Sequence, residues 1–183
     1  MTVAEFLKWE PDDPTVHAWQ LIEGEPVAMA PAADDHGSLQ NDLGALLRNH
    51  LLAQGRGCRA INEPGIVPGV RRDRNFRIPD IGVTCARSTG AQMVSDPILL
   101  VEILSPSNET ETWANIGMYQ TIPSVQEIPI IDRRRIAADL LRRAPDGSWP
   151  ETLIPIGPGD DLELSSIEYS VPLTALYRTT SLA

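Results

Sequence analysis

Two carboxylates stand where carboxylates are costly. Asp80 follows Pro79 at the head of the apolar run Ile81-Gly-Val83, and Glu102 interrupts Leu99-Leu-Val-Glu-Ile-Leu104. An acid inside an apolar strand loses hydration worth several kcal/mol unless a metal, a cation or hydrogen bonds replace the water. Two such acids in neighbouring candidate strands predict a divalent-metal site at the edge of a sheet. Oxygen ligands suit Mg2+, which takes one or two carboxylates and completes its shell with water and phosphate oxygens. A Pro-Asp pair followed about twenty residues later by an acid within a strand is also the layout of metal-dependent nucleases. The spacing alone fits a second reading equally well, an edge-strand turn at Pro79 and a Glu102 paired with an arginine.

Other polar residues are candidates for the same region. Glu63, in Asn62-Glu-Pro64, is a possible third metal acid or a surface residue. Arg71, Arg72, Arg74 and Arg77 precede Asp80 and would either grip phosphates beside the acids or form a solvated loop. Arg133, Arg134 and Arg135 follow a predicted strand and read as a solvated turn with nearby acids. His36 could sit near the mouth of a site but reads rather as a helix-capping residue, Glu111 could approach a metal but reads rather as solvated, and Gln40 could hydrogen-bond into a cleft. Trp9, Trp19, Trp113 and Trp149 are scattered rather than interleaved with cations, so they read as core or interface anchors, not a base-stacking platform. Cys58 and Cys85 are too few for a disulfide framework or a zinc site and read as two buried thiols.

The elements around these residues follow from periodicity and turn chemistry. Thr2-Val-Ala-Glu5 is a capping box that opens a short helix through Leu7, stopped by Pro11 and Pro14. Trp19–Ile22 and Pro26–Ala30 flank Gly24 as a hairpin. Leu39, Leu43, Leu46, Leu47 and Leu51 fall at helical spacing, with Asp34 and Asp35 suited to the helix N-terminus and Gly55 to its end. Extended segments are expected at 58–61, 65–68, 80–85 and 97–104. Ser105-Pro-Ser-Asn108 breaks the last of these and leads into a helix over 109–120, then a strand over 125–132. Strand, helix, strand over this length predicts a crossover between parallel strands. Asp146-Gly147 marks a further hairpin, and Pro172 starts a terminal helical turn. The sum is one α/β domain over 1–183, a mixed sheet carrying helices.

Composition bounds the function. Of 183 residues, 42% are hydrophobic and 22% charged, as in ordinary globular proteins. A formal net charge of −10 argues against strong nonspecific attraction to nucleic acid, without excluding local basic clusters. The apolar stretch Ile98–Leu104 is too short to span a bilayer, and the first residues lack a signal-peptide pattern, so no membrane association and a cytoplasmic location are expected.

The chain resembles the Uma family of restriction-endonuclease-type proteins, a branch of the PD-(D/E)XK nuclease superfamily. The resemblance rests on Thr2-Val-Ala-Glu-Phe-Leu7, Trp19-Gln-Leu-Ile-Glu-Gly-Glu25, His36, Arg77-Ile-Pro-Asp80, Val101-Glu-Ile-Leu-Ser-Pro-Ser107, Tyr119 and Ile122-Pro-Ser-Val-Gln-Glu127. It implies a restriction-endonuclease-like core, a dependence on Mg2+ (or Mn2+), DNA as substrate and frequently a homodimer. Asp80 and Glu102 then match the metal-binding acids. The chain departs from the pattern at its lysine. Leu104 stands two residues after the second acid, Asn115 stands four residues before Tyr119, and Lys8 is the only lysine. Asn115 can hydrogen-bond a water but brings no positive charge. Two readings follow: an endonuclease with Asn115 orienting the water, or a catalytically inactive nuclease-fold module acting in DNA binding or protein–protein interaction.

Overall fold

The computed structural model describes residues 1–11, 15, 18–105 and 109–183; the expected stops and breaks at Pro14 and at Pro106-Ser107-Asn108 lie outside the described residues. Its centre is a six-stranded mixed sheet in the order β3 (Arg59–Asn62), β4 (Ile81–Thr84), β5 (Pro97–Leu104), β6 (Glu127–Asp132), β7 (Ala137–Arg142) and β8 (Ile154–Ile156). Only β5 and β6 run parallel, and α3 (Glu109–Tyr119) links them, as the crossover reading requires. Two antiparallel ribbons flank the sheet: β1 (Trp19–Ile22) with β2 (Glu25–Ala28), and β9 (Asp161–Leu164) with β10 (Tyr169–Pro172).

The sheet's faces are set by alternation along β5. Leu99, Val101 and Ile103 join Ile81 and Val83 in a core with Leu39, Leu43, Leu47 and Leu51 of α2 (Asp34–Gln54). Leu100 points the other way, into a second core with Ile116, Tyr119, Ile128 and Ile130. Period-two geometry therefore puts Glu102 on the α3 face, with Leu100. A third cluster joins Val3 and Phe6 of α1 (Val3–Phe6) to Leu21 and Phe76.

Local chemistry accounts for the element ends. Thr2 caps α1 in a full capping box: its Oγ1 accepts from Glu5 N at 3.3 Å, and Glu5 Oε2 accepts from Thr2 N at 2.7 Å. Gly24 turns the β1–β2 hairpin at φ +86°, where an L side chain would be strained and would meet Arg74. Asp34 and Asp35 open α2, and Gly55 closes it in the left-handed conformation. Asp146-Gly147 lies in the loop joining the antiparallel pair β7–β8, and a 3-10 turn, Leu173–Tyr177, follows Pro172.

Two expectations are corrected. Residues 65–68 do not form a strand; Gly65 and Ile66 make single bridges to Met93 and Arg77, because Pro64 and Pro68 bound a segment too short to extend the ladder. Cys58 and Cys85 are not free thiols but a disulfide. Register explains it: Arg59 pairs with Thr84 at the end of the β3–β4 ladder, so the next residues, 58 and 85, face each other with Cα atoms 3.9 Å apart. Among the described residues no helix is long and apolar enough to cross a membrane.

Candidate active site

Asp80 immediately precedes β4, and the β4–β5 register, Ile81 opposite Val101, puts it one rung further, opposite Glu102. The two side chains share a face, with their carboxyls in hydrogen-bond reach. Each acid is held by groups from distant parts of the chain. Asp80 Oδ2 accepts from Ile103 N at 2.6 Å, and Asp80 Oδ1 lies 2.7 Å from His36 Nε2. With the carboxylate as acceptor, Nε2 is the donor, and the other ring nitrogen, Nδ1, lies 3.4 Å from Ser105 Oγ. Gln40 Nε2 donates to the Asp80 carbonyl at 2.9 Å. Glu102 Oε1 accepts from the buried hydroxyl of Tyr119 at 2.7 Å.

The electrostatics follow from this crowding. Burial, then the neighbouring Asp80 charge, push the Glu102 carboxyl well above the usual carboxylate range, and the Tyr119 hydrogen bond only partly opposes them. Burial and the Glu102 charge likewise hold Tyr119 neutral, its pKa well above the ordinary phenol value. Among the described residues no arginine pairs with either acid, which removes the reading of Glu102 as an arginine partner. Two carboxylates in contact, one of them driven to keep a proton, fit a divalent cation in the proton's place. Among the described residues no three His, Cys, Asp or Glu side chains form a ready metal cage. A cation here would rest on the two acids and keep water or phosphate oxygens, as Mg2+ does. The Asp80 side chain retains 14% exposure, so the pair opens to solvent on that side.

The third acid does not join them. Glu63 N donates to the Asp80 carbonyl at 3.0 Å, yet its own backbone is left-handed (φ 49°) and its side chain is exposed. That side chain lines a surface cavity of about 350 Å³ with Arg59 and Arg87. The four arginines do not form one phosphate grip either. Arg71 pairs with Glu23 at 2.6 Å, Arg74 donates to the Glu23 carbonyl at 2.8 Å, and Arg77 is buried. Their loop stays at the surface, where Arg71 and Arg74 meet the carboxylate and the carbonyl that the β1–β2 turn offers. Only Arg72 stays exposed without such a partner among the described residues, at the rim of an apolar groove lined by Val67, Val94 and Ile122.

Several residues are closer to the acids than their sequence context suggests. His36 contacts Asp80 rather than capping α2, whose first turn shows no side-chain cap. Glu111 is not simply solvated: it accepts from Gln20 Nε2 at 2.9 Å, and its charge reaches Glu102. Gln20 in turn accepts from Ile78 N, tying β1 to the segment that delivers Asp80. On α3, Glu111, Asn115 and Tyr119 recur at four-residue spacing, which aligns them along one helix face. Asn115 is buried and accepts from Arg77 Nη1 at 3.0 Å. His36 and Gln40 carried a legible signal, as polar residues on the stripe that continues through Leu43 and Leu47. Gln20 carried none, because its partners lie 58 and 91 residues away.

Comparisons with known proteins agree with this architecture. Residues 3–174 match the Uma2 family, described as "Putative restriction endonuclease". The chain is 29% identical to the uncharacterized protein slr1290 of Synechocystis sp., over 95% of this chain and 90% of that one. It is 26% identical to a second Synechocystis protein, sll1609, over 90% and 93% of the two chains. In three dimensions it is similar to the crystal structure of a "putative nuclease belonging to DUF820" from Anabaena variabilis. That likeness has a TM-score of 0.77 and 21% identity, covers 97% of both chains, and shows a shared fold.

Proposed function

Because the chain belongs to the Uma2 family of restriction-endonuclease-type proteins, we propose that it is a Mg2+- or Mn2+-dependent endonuclease that hydrolyses DNA phosphodiesters. The observation that carries this reading is the contact between Asp80 and Glu102 on one face of the sheet. These two acids would hold the cation. Bound there, it would act as a Lewis acid on a phosphate oxygen and lower the pKa of a water. The protein's own groups orient the pair. Ile103 N and His36 fix the two oxygens of Asp80, while Tyr119 holds one oxygen of Glu102. Asn115, held by Arg77, offers its amide hydrogens as donors. Two sites acting on two strands make a homodimer the simplest assembly for this reading.

The decisive experiment is plasmid nicking with a Mg2+ or Mn2+ titration. The wild type should nick DNA and bind the metal, and Asp80→Ala should lose both, with cleavage down by at least roughly 10²-fold. Metal binding without cleavage would instead favour a catalytically inactive nuclease-fold module, the reading that Asn115 in the lysine position and the net charge of −10 support. Absence of metal binding would end the hydrolase proposal.

A further inference from the structure

Arg77 brings a guanidinium into the interior, at 4% exposure, and among the described residues no carboxylate lies in ion-pair reach of it. Its partners are two neutral amides. Nη1 donates to Asn115 Oδ1 at 3.0 Å, Nη2 donates to Asn75 Oδ1 at 3.0 Å, and the buried Nε–H has no partner. Buried charges are ordinarily paired, and a buried donor left unpaired calls for an explanation. Packing alone does not provide one, since an apolar side chain would fill the same space without the desolvation cost.

The surroundings supply a reason. Asn75 is itself anchored, donating to Glu23 Oε1 at 3.3 Å, so one branch of the guanidinium is fixed to the β1–β2 turn. The other branch ends on Asn115, between Glu111 and Tyr119 on the face of α3 that meets Glu102. The charge of Arg77 is felt by Tyr119, whose hydroxyl sits on Glu102. A guanidinium has donors only, so the atom of Asn115 that faces it must be the carbonyl oxygen. The rest of that side chain is an NH2 group, polarised by the cation behind it. Such a group cannot take a proton from water; it can only donate to negative charge.

We propose that Arg77 is a positioning residue: it turns the NH2 of Asn115 toward the acid pair and lends it positive charge, so that Asn115 donates to the charge that builds on a phosphate during hydrolysis. The role rests on the endonuclease reading above.

The test uses the full chain, calorimetric titration with Mn2+ alone, and plasmid nicking in Mn2+. Arg77→Met should cut nicking by roughly 10²-fold while tightening Mn2+ binding by about 3- to 10-fold, because a like charge leaves the neighbourhood of the metal. A merely structural arginine would lose both together. Asn115→Leu keeps the cation and removes the donor, so nicking should fall as far while Mn2+ affinity stays within about 3-fold. Adding Asn115→Lys to Arg77→Met moves the charge one contact toward the acids and should recover about 10-fold of the lost nicking. Unchanged or weaker Mn2+ binding in a folded Arg77→Met, or wild-type nicking by Asn115→Leu, overturns the role of Arg77; the second variant decides if the first does not fold. A wild type that binds Mn2+ and nicks nothing fails the endonuclease reading itself, and this role with it.

Discussion

Glu102 is the residue on which stability and function pull apart. It is buried beside a second acid, and its carboxyl is held well above the usual range by burial first and by Asp80 second. In the unfolded chain the same group titrates near its ordinary value, so at pH between the two values the native state holds a proton that the unfolded state has released. The stabilising contribution is therefore complete below the ordinary carboxylate range and is lost as pH rises toward the raised native value. Glu102→Gln keeps an oxygen for the Tyr119 hydroxyl and removes the charge. The metal-free variant should be more stable than wild type at neutral pH by about 1–3 kcal/mol, with no difference at pH 4. If the proposed metal site is correct, Mn2+ should raise the thermal midpoint of the wild type and not that of the variant. Thermal melts at pH 4 and pH 7, with and without Mn2+, measure all three; equal stability of the two proteins at pH 7 would contradict the repulsion described here.

At the scale of elements, the acids depend on how β3, β4 and β5 are held in register. The Cys58–Cys85 disulfide closes the outer end of the β3–β4 ladder, and at its other end Glu63 N bonds the Asp80 carbonyl. A cross-link separated by 27 residues removes loop entropy from the unfolded chain worth roughly 3–4 kcal/mol in the chain-entropy model. Reduction should lower global stability by about 2–4 kcal/mol and speed amide exchange first in β3, the edge strand, while β5 and β6 stay protected. Exchange measured by mass spectrometry with and without reductant checks this; equal protection of β3 in both states would refute it. These elements were partly legible from the sequence. The amphipathic stripe of α2, the Gly24 turn, the α3 crossover and the two acids all announce themselves within a few residues. The disulfide did not, because it depends on the pairing of two strands joined by a long loop. Nor did the contacts of His36 to Asp80 and of Gln20 to Glu111, which close over 44 and 91 residues. Of the two readings of the arginine loop, the solvated one fits the exposed Arg71, Arg72 and Arg74, but nothing local in the sequence announces that Glu23 of the β1–β2 turn receives two of them.

For the whole molecule, a net charge of −10 sets the sign of the long-range interaction with DNA. Phosphate contacts ordinarily dominate nucleic-acid affinity, and here the average field repels them. The arginines nearest the acids cannot reverse it, since Arg71 and Arg74 are spent on Glu23 and Arg77 is buried. In the proposed endonuclease, attraction would come from a cation held by Asp80 and Glu102, helped by the exposed Arg72. Binding to a DNA duplex at physiological salt should be weak in EDTA and should strengthen by at least roughly tenfold in Ca2+, which supports binding without supporting Mg2+-type chemistry. The double variant Asp80→Asn, Glu102→Gln removes the negative charge of the acid pair, and it should bind DNA more tightly than wild type in EDTA but gain nothing from Ca2+. Arg72→Ala should weaken binding to all sequences alike and reduce the salt slope by about 1. Fluorescence anisotropy across a salt series separates these effects. Tight binding in EDTA that the acid variants leave unchanged would mean that DNA is held by another surface, away from the carboxylates.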